Sequence, residues 1–146
     1  MNLPSSGTVF VDTNVLAYAH DRSDATKQAI ARAVLAELWE RRTGALSTQV
    51  LQEFHVVATH KFAPPMSRSE ARQLVDAYSA WQVVHVDVPL ILAASLLEER
   101  HTVSFWDALI VEAARRAGAT HLLTEDLQSG RRLAGMLIEN PFTPTS

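Results

Sequence analysis

Apolar residues along this chain follow two rhythms. Short runs at Val9–Val11, Ala45–Ser47, Val83–Val86, Thr120–Leu123 and Met136–Ile138 read as strands of a sheet covered on both faces. The stretches between them carry helical spacing. A helix starts in Val15–Tyr18. From about Ala25 to Arg42, residues Ile30, Val34, Leu35 and Leu38 line one stripe, and Thr43-Gly44 reads as its stop. A further helix is expected over about Thr48 to His60, before the Pro64-Pro65 break. Ser67-Arg-Ser-Glu70 has capping-box spacing and opens a helix to about Trp81. Asp87-Val-Pro89 starts another through Leu97, and Ser104 to Gly118 forms the last. Strands alternating with helices predict the α/β class, here a three-layer α/β/α sandwich around a central, mainly parallel sheet. Neither side of Pro64-Pro65 holds enough elements to close a core, so residues 1–146 read as one domain.

Composition narrows the function classes. With 47% hydrophobic and 20% charged residues, 146 residues can bury a real core. There is no cysteine, which excludes a disulfide scaffold and thiolate zinc. No apolar run approaches membrane-spanning length, and Met1–Gly7 lacks a basic region and a signal-peptide core, so a cytoplasmic protein with no membrane partner is expected. A net charge of −3 argues against gripping nucleic acid by broad electrostatics. It leaves room for a nuclease whose negative charges are concentrated in a metal site.

Four acids occupy positions that invite that reading. Asp12 and Asp126 follow the strands Val9–Val11 and Thr120–Leu123, at the edge where open α/β sheets bind ligands. Taken singly, Asp12 is a plausible helix N-cap and Asp126 a turn residue. Glu53 flanks the apolar stripe of Val50, Leu51, Phe54, Val57 and Ala58, and Lys61 is too far along the helix to pair with it. Asp107 has capping-box spacing from Ser104, yet projects with Ile110, Val111 and Ala114 while Glu112, Arg115 and Arg116 form the polar face. With parallel strands, all four converge on one sheet edge. There they repel and raise one another's pKa values unless a hard cation, Mg²⁺ or Mn²⁺, is shared. Glu125 ranks behind Asp126 for the same role. The six histidines look scattered, and only His20 is expected near the rim.

Phe10-Val-Asp-Thr-Asn-Val-Leu16, Ser47-Thr-Gln-Val-Leu-Gln-Glu-Phe54, Ser104-Phe-Trp-Asp-Ala-Leu-Ile110, Leu122-Leu-Thr-Glu-Asp-Leu-Gln-Ser-Gly130 and Ile138-Glu-Asn-Pro-Phe142, in that order, resemble the PIN-domain ribonucleases. Within them they resemble the VapC-like toxin of type II toxin–antitoxin pairs. The resemblance runs over nearly the whole chain. It implies that Asp12, Glu53, Asp107 and Asp126 match the family's acidic quartet around one or two Mg²⁺ or Mn²⁺ ions. Thr13 and Asn14 match polar neighbours of the first aspartate, and Ser47 and Thr124 match donors that orient carboxylates. It further implies an endoribonuclease that cuts structured RNA, tRNA or rRNA, to inhibit growth, leaving a 3′-hydroxyl and a 5′-phosphate. A cognate antitoxin and a homodimer are the implied partners. Leu35, Leu38, Trp39 and Phe54 are candidates for an antitoxin groove, although core packing accounts for most of them. Asp12 and Asp107 are the first choices as ligands, Asp126 serves a second ion or acts through water, and Glu53 ligates or positions the attacking water. The alternative is a catalytically silent PIN-like module that binds RNA or protein. A haloacid-dehalogenase-like phosphatase is disfavoured because Asn14 stands where its second aspartate belongs. A receiver module is disfavoured because residues 120–126 offer no lysine.

Overall fold

The computed structural model describes residues 3–143. The chain runs β1 (Thr8–Val11), α1 (Thr13–His20), α2 (Ala25–Arg41), β2 (Gly44–Ser47), α3 (Thr48–His60), α4 (Arg68–Tyr78), β3 (Gln82–Val84), α5 (Val88–Arg100), α6 (Phe105–Arg116), β4 (Ala119–Leu123), β5 (Arg132–Leu133) and β6 (Met136–Glu139). Each helix starts on an Asp or Ser whose side chain accepts a backbone N–H of the first turn: Asp12, Asp24, Ser47, Ser67, Asp87 and Ser104. That supplies partners for amides a helix start otherwise leaves open.

The strands form one sheet in the order β3-β2-β1-β4-β6-β5, parallel except for the β5–β6 hairpin. Crossovers between parallel strands are right-handed as a rule, which carries α1–α4, lying between β1 and β3, to one face. The return from β3 to β4 carries α5 and α6 to the other, which yields the three-layer α/β/α sandwich. Phe10, Leu46, Leu122 and Ile138 fill the sheet's interior and Phe54 and Leu90 cover its faces, all at most 1% exposed. The strand order reverses between β1 and β4. A crevice for ligands opens at the carboxyl ends of strands at such a reversal.

Several local expectations change. Gly44 lies in β2 and does not stop α2, which ends instead on Arg42 in the left-handed conformation. A Cβ on Gly44 would stand 2.6 Å from the Trp81 ring, so the strand needs glycine for that ring to lie against it. The helix opened by Ser67 stops at Tyr78, and β3 ends at Val84, two residues before the expected end. Glu112, expected on a polar face, is only 9% exposed and pairs with Arg115 at 3.5 Å. Leu35, Leu38 and Phe54 are core residues, and of the groove candidates only Trp39 is exposed. The ends of the expected 1–146 domain, residues 1–2 and 144–146, lie outside the described residues.

Candidate active site

Asp12 directly follows β1 and caps α1. Its carboxylate accepts Thr13 N–H at 2.7 Å through Oδ1 and the Thr124 hydroxyl at 2.8 Å through Oδ2. It is 4% exposed, and burial pushes its pKa up to about 7. The two hydrogen bonds work against that rise, while repulsion from Asp126 and Glu53 adds to it. Asp107, on the first turn of α6, is half-buried and also raised, by burial first, with Asp126 and Glu53 again adding repulsion. Four carboxylates from β1, α3, α6 and the turn after β4 therefore share one field at the switch point. Among the described residues, no arginine or lysine forms an ion pair with any of them. Among the described residues, no three carboxylates or imidazoles are spaced to close on one ion. The donors are all oxygen, the set a hard divalent cation prefers, and Asp12, Glu53, Asp107 and Asp126 are the side chains that could hold one.

Glu53 is fixed from two sides. Thr13 Oγ1 donates to its Oε2 at 2.9 Å and Gln49 Nε2 to its Oε1 at 2.8 Å. Gln49 Nε2 also donates to the Trp106 carbonyl at 3.3 Å, tying the Glu53 helix to the turn that carries Asp107. This leaves Gln49 Oε1 buried with no partner. Reversing the amide would set its oxygen against a carboxylate and a carbonyl, so the cost of one orphaned acceptor, about 1–3 kcal/mol, is the smaller one. Gln49 is a helix neighbour of Glu53 in the sequence but not among the residues expected at the site. Its signal was the four-residue spacing from Glu53, which places glutamine and glutamate side by side on a helix.

Thr124 connects the other pair. Besides donating to Asp12, its Oγ1 accepts Asp126 N–H at 3.1 Å and Asn14 Nδ2 at 3.4 Å, and Asn14 Oδ1 in turn accepts Glu125 N–H at 3.2 Å. Thr13, Asn14 and Thr124 thus touch the acids or the turn that carries them. Ser47 does not act as expected. Its hydroxyl accepts Val50 N–H at 3.3 Å and caps α3, so it reaches the acids only by seating the helix that bears Gln49 and Glu53. Glu125 points away from the acids to Lys27 and Tyr18. His20 ends α1, about 12 Å of helix from its start. It bonds the Tyr78 hydroxyl at 3.0 Å instead of lining the rim, and burial with Arg32 nearby lowers its pKa.

This is a three-layer α/β domain with four carboxylates gathered at its strand reversal. The PIN domain family model matches residues 9–134, and the chain belongs to that family. Solved structures share its architecture. VapC20 of Mycobacterium tuberculosis, described as a sarcin-ricin-loop-cleaving toxin, is 23% identical with a TM-score of 0.61, covering 79% of this chain and 87% of that one. A toxin–antitoxin complex from Klebsiella pneumoniae contains a chain 18% identical with a TM-score of 0.69, covering 92% and 98%. DNA-bound VapBC from Salmonella typhimurium gives 17% identity and a TM-score of 0.64, covering 93% and 99%. No curated protein matches the sequence.

Proposed function

We propose that this protein is a Mg²⁺- or Mn²⁺-dependent endoribonuclease, the toxin of a type II toxin–antitoxin pair, acting on structured RNA such as tRNA or rRNA. The observation that carries the proposal is Asp12. It is a 4%-exposed carboxylate at the strand reversal, raised to about 7 and repelled by Asp126 and Glu53. Such a placement is unfavourable in a protein that never brings a cation there. A bound divalent ion supplies positive charge that acidifies water and offsets charge on phosphate oxygens. Asp12 and Asp107 are the proposed direct ligands, with Asp126 completing the set. Glu53, its oxygens aligned by Thr13 and Gln49, orients the attacking water and takes its proton.

The likeness to toxin–antitoxin complexes and to a sarcin-ricin-loop-cleaving toxin supports an antitoxin partner and an RNA target. Incubation of the purified protein with total RNA is expected to give discrete cuts that need Mn²⁺ and vanish in Asp12→Asn. Metal uptake without any cut would instead favour a silent RNA- or protein-binding module.

We also propose a homodimer. α5 buries Leu90, Ala94 and Leu97 but leaves Val88, Ile91, Leu92 and Leu96 40–65% exposed. A helix apolar on both sides is one that is covered in the assembled state. Val88, Leu92 and Leu96 of the exposed stripe repeat every four residues along one side of the helix, which can face its own copy across a two-fold axis.

A further inference from the structure

Asp126 is the least supported of the four acids. It is exposed and sits in an irregular turn, and its one hydrogen bond among the described residues is that of its backbone N–H to Thr124. Next to it, Glu125 is held at both oxygens. Tyr18 OH donates to Oε1 at 3.0 Å and Lys27 Nζ to Oε2 at 2.5 Å, while Lys27 also donates to the Tyr18 hydroxyl at 3.2 Å. The ammonium lies 4.5 Å from the Tyr18 ring centre and 5.4 Å from that of Phe142, whose edge meets Tyr18. Lys27 is placed in turn by the first turn of α2, where Asp24 accepts its N–H at 3.0 Å.

We propose that the Lys27–Tyr18–Glu125 clasp positions Asp126 for metal binding, by pinning the turn after β4 to α1 and α2. The inference rests on the metal-dependent reading above and deepens it. Lys27, Tyr18 and Glu125 are positioning residues, acting on the metal site through Asp126. A surface ion pair is worth little by itself, with a median of about 0–1 kcal/mol. Here the two partners are 32% and 27% exposed, and the geometry they impose matters more than their energy. Fixing both oxygens of Glu125 fixes the direction of the turn, and with it where the next carboxylate stands. Groups that orient metal ligands affect metal affinity by roughly 10–100-fold.

The effect has a sign that separates it from simple electrostatics. Lys27→Met removes a positive charge near the site, so the field alone makes Mn²⁺ bind more tightly. Loss of positioning makes it bind more weakly. Calorimetric Mn²⁺ titration of the full chain is therefore expected to show about tenfold weaker binding in Lys27→Met. A smaller loss is expected in the charge-neutral Tyr18→Phe, and near wild-type affinity in Lys27→Arg, with melting temperatures close to wild type throughout. In an Asp126→Asn background, Lys27→Met is expected to add no further loss, because the ligand it serves is gone. Unchanged or tighter binding in Lys27→Met overturns the clasp, and so does an equal loss in the Asp126→Asn background. Failure of the underlying metal reading looks different: the wild-type protein then takes up no Mn²⁺, and both proposals fall. Should Lys27→Met not fold, Tyr18→Phe carries the same test.

Discussion

At the scale of single residues, Asp12 sets an opposition between folding and chemistry. Its carboxyl titrates near 3.8 in the unfolded chain and near 7 in the folded one. Below 3.8 it is protonated in both states and costs nothing. Between roughly 4 and 7 only the unfolded chain ionises it, so the folded state loses ground as pH rises. Above about 7 the whole penalty is present, on the order of 4 kcal/mol at 1.36 kcal/mol per unit. Metal-free Asp12→Asn is therefore expected to melt above the wild type at pH 8, with the gap closing toward pH 4. Melting curves in EDTA at several pH values read this directly, and a gap constant with pH would refute it. Added Mn²⁺ is expected to raise the wild-type melting temperature and to leave the variant nearly unmoved, since ligand binding stabilises only a protein that binds it. The same residue shows why the acids were legible in sequence, why Thr13, Asn14 and Thr124 came only with the family resemblance, and why Gln49 and Lys27 came from neither. A carboxylate after an apolar run is a local signal. Thr124 reaching Asp12, or Lys27 reaching Glu125, joins residues about a hundred positions apart, which no periodicity encodes.

At the scale of elements, helices and parallel strands were readable because caps and apolar rhythm reinforce one another. The exceptions are elements held by tertiary contact or by unusual turn chemistry. Gly44 looks like a helix stop, but the Trp81 ring against its backbone gives it a strand role. The two-residue β5 was missed because its hairpin turns on Ala134-Gly135, both at positive φ, 53° and 80°. Asn-Gly is the usual signature of such a turn, and alanine gives no hint of it. An alanine in the left-handed region costs roughly 1–2 kcal/mol, whereas asparagine tolerates it. Ala134→Asn is thus expected to stabilise the protein by about 0.5–1 kcal/mol in urea unfolding, with no change in RNA cleavage. A destabilised Ala134→Asn would mean the hairpin is held by its surroundings and not by its turn.

At the scale of the whole molecule, the two faces of the sheet differ in what they leave open. On one face, α5 and α6 pack together, and α5 turns Val88, Ile91, Leu92 and Leu96 outward while Trp106 stands 64% exposed at the start of α6. Four large side chains on one 13-residue helix make an apolar stripe that a monomer has no reason to keep in water. Leu92, 61% exposed and central to the stripe, is the position where a charge is most disruptive to pairing and least disruptive to the fold. Leu92→Glu is expected to convert a dimer into a monomer in sedimentation velocity while the monomer keeps its melting transition. At the pairing surface the charge would have to be buried unpaired, whereas in the free monomer it stays hydrated. A wild-type protein that sediments as a monomer at high micromolar concentration would remove the dimer from the proposal. It would leave this face of α5 to the antitoxin, and the sedimentation of Leu92→Glu with and without that partner would show which of the two covers it.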